Sequence, residues 1–241
     1  MENGKIHAIL EHGADALGVK LPPEAYDSFE KYYELLEKHG RNVNLTAITG
    51  AEDVTRLHFL DSIALLKTAD FSNAKVIDIG SGAGFPGIPL KIAEPSIDLT
   101  LLDATSKRIA FLSEACTSLG ISARSLHARA EEAAHMADMR GRFDIAVSRA
   151  VAQLNVLCEL CIPYVRVGGM FIAMKSVDCI AELDEARDIM AILGADSAEI
   201  YDYTIPGTDV THRAILIRKT SDTPANYPRR FSKIKKSHIS N

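Results

Sequence analysis

A chain of 241 residues, 47% of them hydrophobic, is long enough to bury a full core as one domain with an appendage. Its 27 Lys and Arg stand against 32 Asp and Glu, a net charge of −5 that excludes nucleic-acid binding by bulk charge alone. No apolar run reaches membrane-spanning length, Met1 to Lys20 is mixed and charged rather than leader-like, and four cysteines (116, 158, 161 and 179) are too few for a disulfide scaffold. A cytoplasmic protein without membrane contact is expected.

Residues 1–70 read as a helical extension. "PPEAYDSFEKYYELLEKHG" opens on prolines, repeats Tyr26, Phe29, Tyr33 and Leu36 at helical spacing, and closes on Gly40. "NVNLTAIT" reads as a loop, and "DVTRLHFLDSIALLK" resumes a helical period. From Lys75 short apolar strands alternate with helical stretches. The strands are "KVIDI", "IDLTLLD", "ARSLHA", "FDIAVS", "MFIAMK", "SAEIYDYTI" and "HRAILIRK". The stretches between them are "PGIPLKIAEP", "SKRIAFLSEACTSLG", "AEEAAHMADM", "AQLNVLCELCIPYV" and "IAELDEARDIMAILG". Near-continuous apolar strands in this rhythm predict an α/β domain over 71–220, a doubly wound, mostly parallel seven-stranded sheet with a closing antiparallel pair.

Residues 221–241 have the composition of a mobile tail with no core periodicity, so that 224–241 should be removable without harm to folding. Charge concentrates at this end. From Thr211 onward eight basic residues stand against Asp222 alone, giving +7, while residues 1–210 carry −12. Such a segment holds a phosphate backbone locally or serves only solubility.

The segment most suggestive of chemistry is "VIDIGSGAGFPGIPL", residues 76–90, an apolar strand that breaks into glycines and then a helix. Gly82-x-Gly84-x-x-Gly87 fits the dinucleotide pattern, but its first glycine falls three residues past Ile79, the last apolar strand position. Asp78-x-Gly80-x-Gly82-x-Gly84 places Gly80 directly after the strand and aims Asp78 into the site. A carboxylate there suits a ligand with an α-ammonium group such as S-adenosylmethionine, and glycines let backbone approach without a Cβ collision. A pyrophosphate would instead need helix amides. Asp103, ending the next strand, accepts from ribose hydroxyls in either class. The methyl donor is favoured; a nicotinamide cofactor and a turn without ligand stay open.

Together with "NVNLTAI" (42–48), "HFLDSI" (58–63), "LLDATSKRIAFL" (101–112), "ARAEE" (128–132), "FDIAVSRAVAQL" (143–154), "MKS" (174–176) and "YPRRFSKIKKS" (227–237), this segment resembles one family. It is the bacterial small-subunit ribosomal RNA guanine N-7 methyltransferases of the glucose-inhibited-division-B type. The resemblance spans nearly the whole chain; the glycine turn's continuation "GxGFPGIPL" and "SRAVA" are its most specific parts. It implies a class I methyltransferase fold with an N-terminal helical extension, S-adenosylmethionine as donor, and 16S rRNA or the small ribosomal subunit as partner of a monomer. Donor contacts carried onto this chain are Gly80, Phe85, Ala130, Glu131 and Arg149; alanine at 130 occupies a position where the family varies. The physical argument adds Asp78, Gly82, Gly84 and Asp103. Asn44, His58 and Asp61 match family-typical positions whose role the residues do not reveal.

Guanine N-7 carries an in-plane lone pair and no proton, so methyl transfer to it needs alignment and desolvation rather than a general base. The chain has no evident acid–base constellation, and "SRAV" at the fourth strand end replaces the D/N-P-P-aromatic tetrad usual in amine methylation. Arg149 cannot act as a base. It donates to guanine O6, a phosphate or the donor's carboxylate, or pairs with a strand-end acid such as Asp144. The tail's Arg229, Arg230, Lys233, Lys235 and Lys236, with Arg213, are the RNA-binding candidates, and Tyr227 or Phe231 could stack on a base. Cys158-x-x-Cys161 lacks a second pair and reads as buried thiols, so no metal is expected. Two rival functions are a small-molecule methyltransferase and a donor-binding ribosome assembly factor.

Overall fold

The sheet begins where the sequence changes rhythm. In the computed structural model, which describes residues 3–43, 46–149 and 152–238, the strands are β1 (Lys75–Ile79), β2 (Asp98–Asp103), β3 (Ala123–His127), β4 (Phe143–Arg149), β5 (Val165–Ser176), β6 (Ala195–Thr204) and β7 (Thr211–Lys219). They form one sheet in the order β3-β2-β1-β4-β5-β7-β6. The first five run parallel, and β7 lies antiparallel between β5 and β6. Strand order reverses between β1 and β4, which opens a crevice at their carboxyl ends.

The pleat divides the core in two. Val76, Leu101, Ile145 and Val147 point to one face, Ile77, Ile79, Leu102 and Ala146 to the other, as period-two alternation requires. The first face is covered by α1 (Asn3–Leu17), α2 (Ala25–Val43), α3 (Ala51–Val54), a wide π-helical turn (Thr55–Leu60), α4 (Asp61–Ile63), α5 (Gly87–Ala93) and α6 (Ser106–Leu119). Onto the second pack α7 (Ala130–Ala133), α8 (Leu154–Cys161), α9 (Ile180–Leu193) and α10 (Phe231–His238). The stripe read on α2 is real: Phe29, Tyr33 and Leu36 are buried, while Tyr26 is partly covered by His7 at 4.3 Å between ring centroids. No helix among the described residues is long and apolar enough to cross a membrane.

Element ends depart from the sequence reading for local reasons. Helix α2 runs past Gly40 to Val43, into the expected loop; Asn44 lies outside the described residues. The helix expected over 152–165 stops at Cys161, because Pro163 lacks an N–H and disfavours helix before it; residues 162–164 make a single tight turn and β5 starts at Val165. The stretch 130–139 supplies only the four residues of α7.

Residues 223–234 of the expected tail dock on the domain. Arg140 donates to the carbonyls of Thr223 (2.8 Å), Pro224 (2.9 Å) and Tyr227 (2.8 Å), and His135 Nε2 bonds the carbonyl of Pro228 at 3.0 Å. Ile234 of α10 is fully buried in the second core. Arg229 forms a bidentate pair with the buried carboxylate of Glu159 on α8, at 2.9 and 2.7 Å. One apolar anchor and one ion pair reaching back 70 residues leave no periodicity to read.

Candidate active site

Positive φ angles at three alternate residues shape the turn after β1: Gly80 +74°, Gly82 +59° and Gly84 +100°. The amides of Gly80 and Ser81 donate to the carbonyl of Leu102 at 2.8 and 3.0 Å, fastening the turn to β2. The Gly82 amide donates to Asp103 Oδ2 at 3.0 Å. A Cβ on Gly84 would lie 2.6 Å from the Tyr32 hydroxyl and from Ile88 Cδ1, so only glycine fits there. On Gly82 a Cβ would meet nothing nearer than the Gly80 carbonyl at 3.8 Å: the turn leaves an open cradle on that side.

Asp78, expected to aim into the site, is fully buried beneath the turn. Oδ2 accepts the Gly87 amide at 2.9 Å at the start of α5, and Oδ1 has no hydrogen-bond partner. Burial outweighs that amide bond and pushes its pKa up to about 7. Asp78 therefore clamps strand to helix.

Asp103 does stand at the cleft. Its Oδ1 accepts the Thr105 amide at 2.8 Å, and Oδ2, beyond the Gly82 amide, lies 3.4 Å from Arg108. The cleft, about 150 Å³, runs from Gly80 and Asp103 past Ser148 to Ala130 and Glu131, with Phe231 of α10 at its margin. The Tyr164 hydroxyl donates to the Ala130 carbonyl at 2.6 Å, fixing the start of α7. Ser148 donates to the Ile79 carbonyl at 2.9 Å and ties β4 to β1 at the crevice.

Phe85 and Arg149 are brought together on the opposite face. Arg149 lies 4.8 Å from the Phe85 ring centroid, and the His58 ring packs at a tilt against the same ring, 4.4 Å between centroids. Arg149 pairs at 3.2 Å with Asp61, not with Asp144, which holds Arg166 at 2.6 Å instead. Asp61, buried, also accepts from the Tyr203 hydroxyl and His212 Nδ1, both at 2.8 Å. This bond raises the pKa of His212. Burial, aided by Arg149, lowers that of His58 to about 4. His58 Nδ1 donates to the Leu57 carbonyl at 3.0 Å and Nε2 accepts from Thr46 at 2.7 Å, so the neutral ring has no nitrogen to spare. Tyr203 and His212 escaped the sequence reading because nothing local marks strand residues some 140 positions from Asp61.

Of the six basic candidates, two are spent inside the protein. Arg213 is buried and grips Asp202 through two bonds of 2.6 and 2.7 Å, and Arg229 is paired with Glu159 while lying 5.4 Å from the Tyr227 ring centroid. That contact also half-buries Tyr227. Arg230, Lys233, Lys235 and Lys236 are exposed on or beside α10. Cys158 and Cys161 are buried in α8, with burial pushing both thiols up in pKa.

This strand order, with a glycine turn at the point of reversal and an acid closing the second strand, defines a class I S-adenosylmethionine-dependent methyltransferase. The same fold recurs in TrmN of Thermus thermophilus, with a TM-score of 0.54 at 20% identity over 75% of this chain and 53% of that one. The model of the GidB family, rRNA small subunit methyltransferase G, matches residues 25–206. Proteins called ribosomal RNA small subunit methyltransferase G are 43% identical in Alkaliphilus oremlandii and 40% in Clostridium perfringens, each over 96% of this chain and 98% of the relative. The chain belongs to this family, and S-adenosylmethionine is its methyl donor.

Proposed function

We propose that the protein methylates N-7 of one guanine in the 16S rRNA of the small ribosomal subunit, acting as a monomer in the cytoplasm. The observation that carries this reading is that the side chains packed against the turn are buried or engaged within the protein. Asp78 is buried under it, His58 has both nitrogens engaged, and Arg149 is tied to Asp61. Among the described residues none of these is placed to take a proton from a substrate, and a guanine ring nitrogen has none to give.

The nucleoside end of the donor is assigned to the cleft at Gly80, Asp103, Ala130 and Glu131, and its methionine end to the open side of the turn. The open side of Gly82 gives a methionine moiety room beside the backbone, and Asp103 stands ready for ribose hydroxyls. Gly80, Ala130 and Glu131 line the cleft's walls, while Gly84 lets the turn sit tight on Tyr32 and Ile88. S-adenosylmethionine supplies, when bound, an electrophilic methyl group on sulfur. The protein's part is to hold two reactants in line and exclude water, which supplies much of the barrier reduction when no proton moves. At the far side of the turn Phe85, carried over as a donor contact, is buried beneath Arg149, and the partly exposed guanidinium gives a cation for the donor's carboxylate or the substrate's phosphates.

The substrate reaches this site along the basic surface of Arg230, Lys233, Lys235 and Lys236. Labelled methyl transfer should be measured on small subunits and on deproteinised 16S rRNA from cells lacking this activity. Incorporation of one methyl per RNA is expected. Transfer to small molecules alone, or binding of donor without transfer, would replace the proposal with one of its rivals.

A further inference from the structure

We infer that Phe231 binds the donor, its ring forming the outer wall of the nucleobase end of the cleft, so that the C-terminal helix is part of the donor site. The inference rests on placing S-adenosylmethionine at the glycine turn. With ribose at Asp103, the base extends away from Gly80 toward Ala130 and Glu131. There the lining turns apolar, with Leu102, Leu157 and Leu160 at the cleft's floor. A purine has two faces to desolvate. The leucines cover one, and the aromatic side chain lining the cleft on the other side comes from α10.

The mounting of Phe231 supports this. Ile234, one turn further along α10, is fully buried, and Arg229, two residues before Phe231, is locked to Glu159. Pro228 is buried, with its carbonyl bonded to His135. Position 231 is thus fixed from both sides, yet its ring stays 40% exposed at the cleft margin. A large apolar side chain held rigidly but left uncovered suits stacking on a ligand, since little conformational freedom remains to be lost on binding. Beyond it the cleft widens into a groove of about 710 Å³ bordered by Arg129, His135 and Arg230, which leaves an open approach for the ligand.

The sequence contains no tryptophan, so Phe231→Trp installs a single indole reporter. Titration with S-adenosylhomocysteine should change its emission saturably, with a midpoint matching the Kd from calorimetry. Phe231→Ala should weaken S-adenosylhomocysteine and 5′-methylthioadenosine by the same factor, about 5- to 100-fold, the range for base–aromatic stacking. Unchanged emission at saturation together with unchanged affinity of Phe231→Ala, while Gly82→Val abolishes binding, would overturn the inference and leave the donor at the turn. Loss of RNA affinity alone in Phe231→Ala would overturn it in favour of stacking on RNA. If Gly82→Val too bound normally, the placement of the donor itself would fall.

Discussion

Asp61 gathers three donors from three separate elements: Arg149 from β4, Tyr203 from β6 and His212 from β7. With the carboxylate 1% exposed, its removal strands a guanidinium in a dry place. Asp61→Ala should therefore cost about 3–5 kcal/mol, the penalty for breaking a buried pair, read as a shifted urea midpoint; an unshifted midpoint would contradict the network. His58 gives a pH signature. Its pKa is lowered from 6.5 to about 4 on folding, so its contribution is full above 6.5 and lost as pH falls toward 4, by at most about 3 kcal/mol. His212, raised by Asp61, has the opposite sign, its contribution being present below 6.5 and fading above. His58→Gln should accordingly shrink the stability lost between pH 6.5 and 4.5, and a loss equal to that of the unsubstituted protein would refute the assignment. At Gly82, φ +59° disfavours a β-branched residue, and the open side is where the donor would sit. Gly82→Val should lower affinity for S-adenosylmethionine at least tenfold by calorimetry. The turn's glycines and Asp103 were legible as a strand-end pattern. The clamp made by Asp78 was not, since the pattern says that an acid is present and not which face of the strand it takes.

Helix α2 reaches into the site from the N-terminal extension, its Tyr32 hydroxyl donating to the Ala83 carbonyl inside the glycine turn. Tyr32, wholly buried, also packs on Phe85 at 5.6 Å between centroids. The extension is thus a brace for the turn. Tyr32→Phe keeps the ring, strands one carbonyl and should cost about 1–2 kcal/mol in stability, with weaker donor binding. Unaltered donor affinity in a fully folded variant would make α2 mere packing. The edge strands β3 and β6, largely uncovered, were marked only by their place in the alternation. Strands β1, β2, β4 and the second half of β5 were visible as apolar runs because parallel strands are covered on both faces. Helix ends were less so, for Pro163 acts on the residues before it and Gly40 does not stop a helix that continues to Val43. The last element misled most. α10 is short and polar, and only Ile234 betrays its docking, in a contact with α8 that no local rhythm records.

At the scale of the molecule, an acidic body carries a cluster of four exposed cations, Arg230, Lys233, Lys235 and Lys236, on or beside a helix docked at the cleft. Truncation at residue 223 would leave Glu159 buried without its partner and uncover the seat of Ile234, so the deletion should destabilise the fold rather than spare it. The cleaner test of RNA contact neutralises the exposed cations in place. Alanine at Arg230, Lys233, Lys235 and Lys236 should weaken 16S rRNA binding and flatten its salt dependence by up to about 3 in the log–log slope, some 0.7 per phosphate contact. Identical slopes would assign the helix to solubility alone. The atom that receives the methyl group separates N-7 transfer from every alternative. Methylation at N-7 leaves a cationic guanine that borohydride reduces and aniline then cleaves, whereas a methylated exocyclic amine leaves the chain intact. Undermethylated small subunits treated with the protein and S-adenosylmethionine should give one new aniline cleavage, at a single guanine of 16S rRNA, absent with Gly82→Val. Methyl incorporation without that cleavage would place the group on another atom and contradict the account.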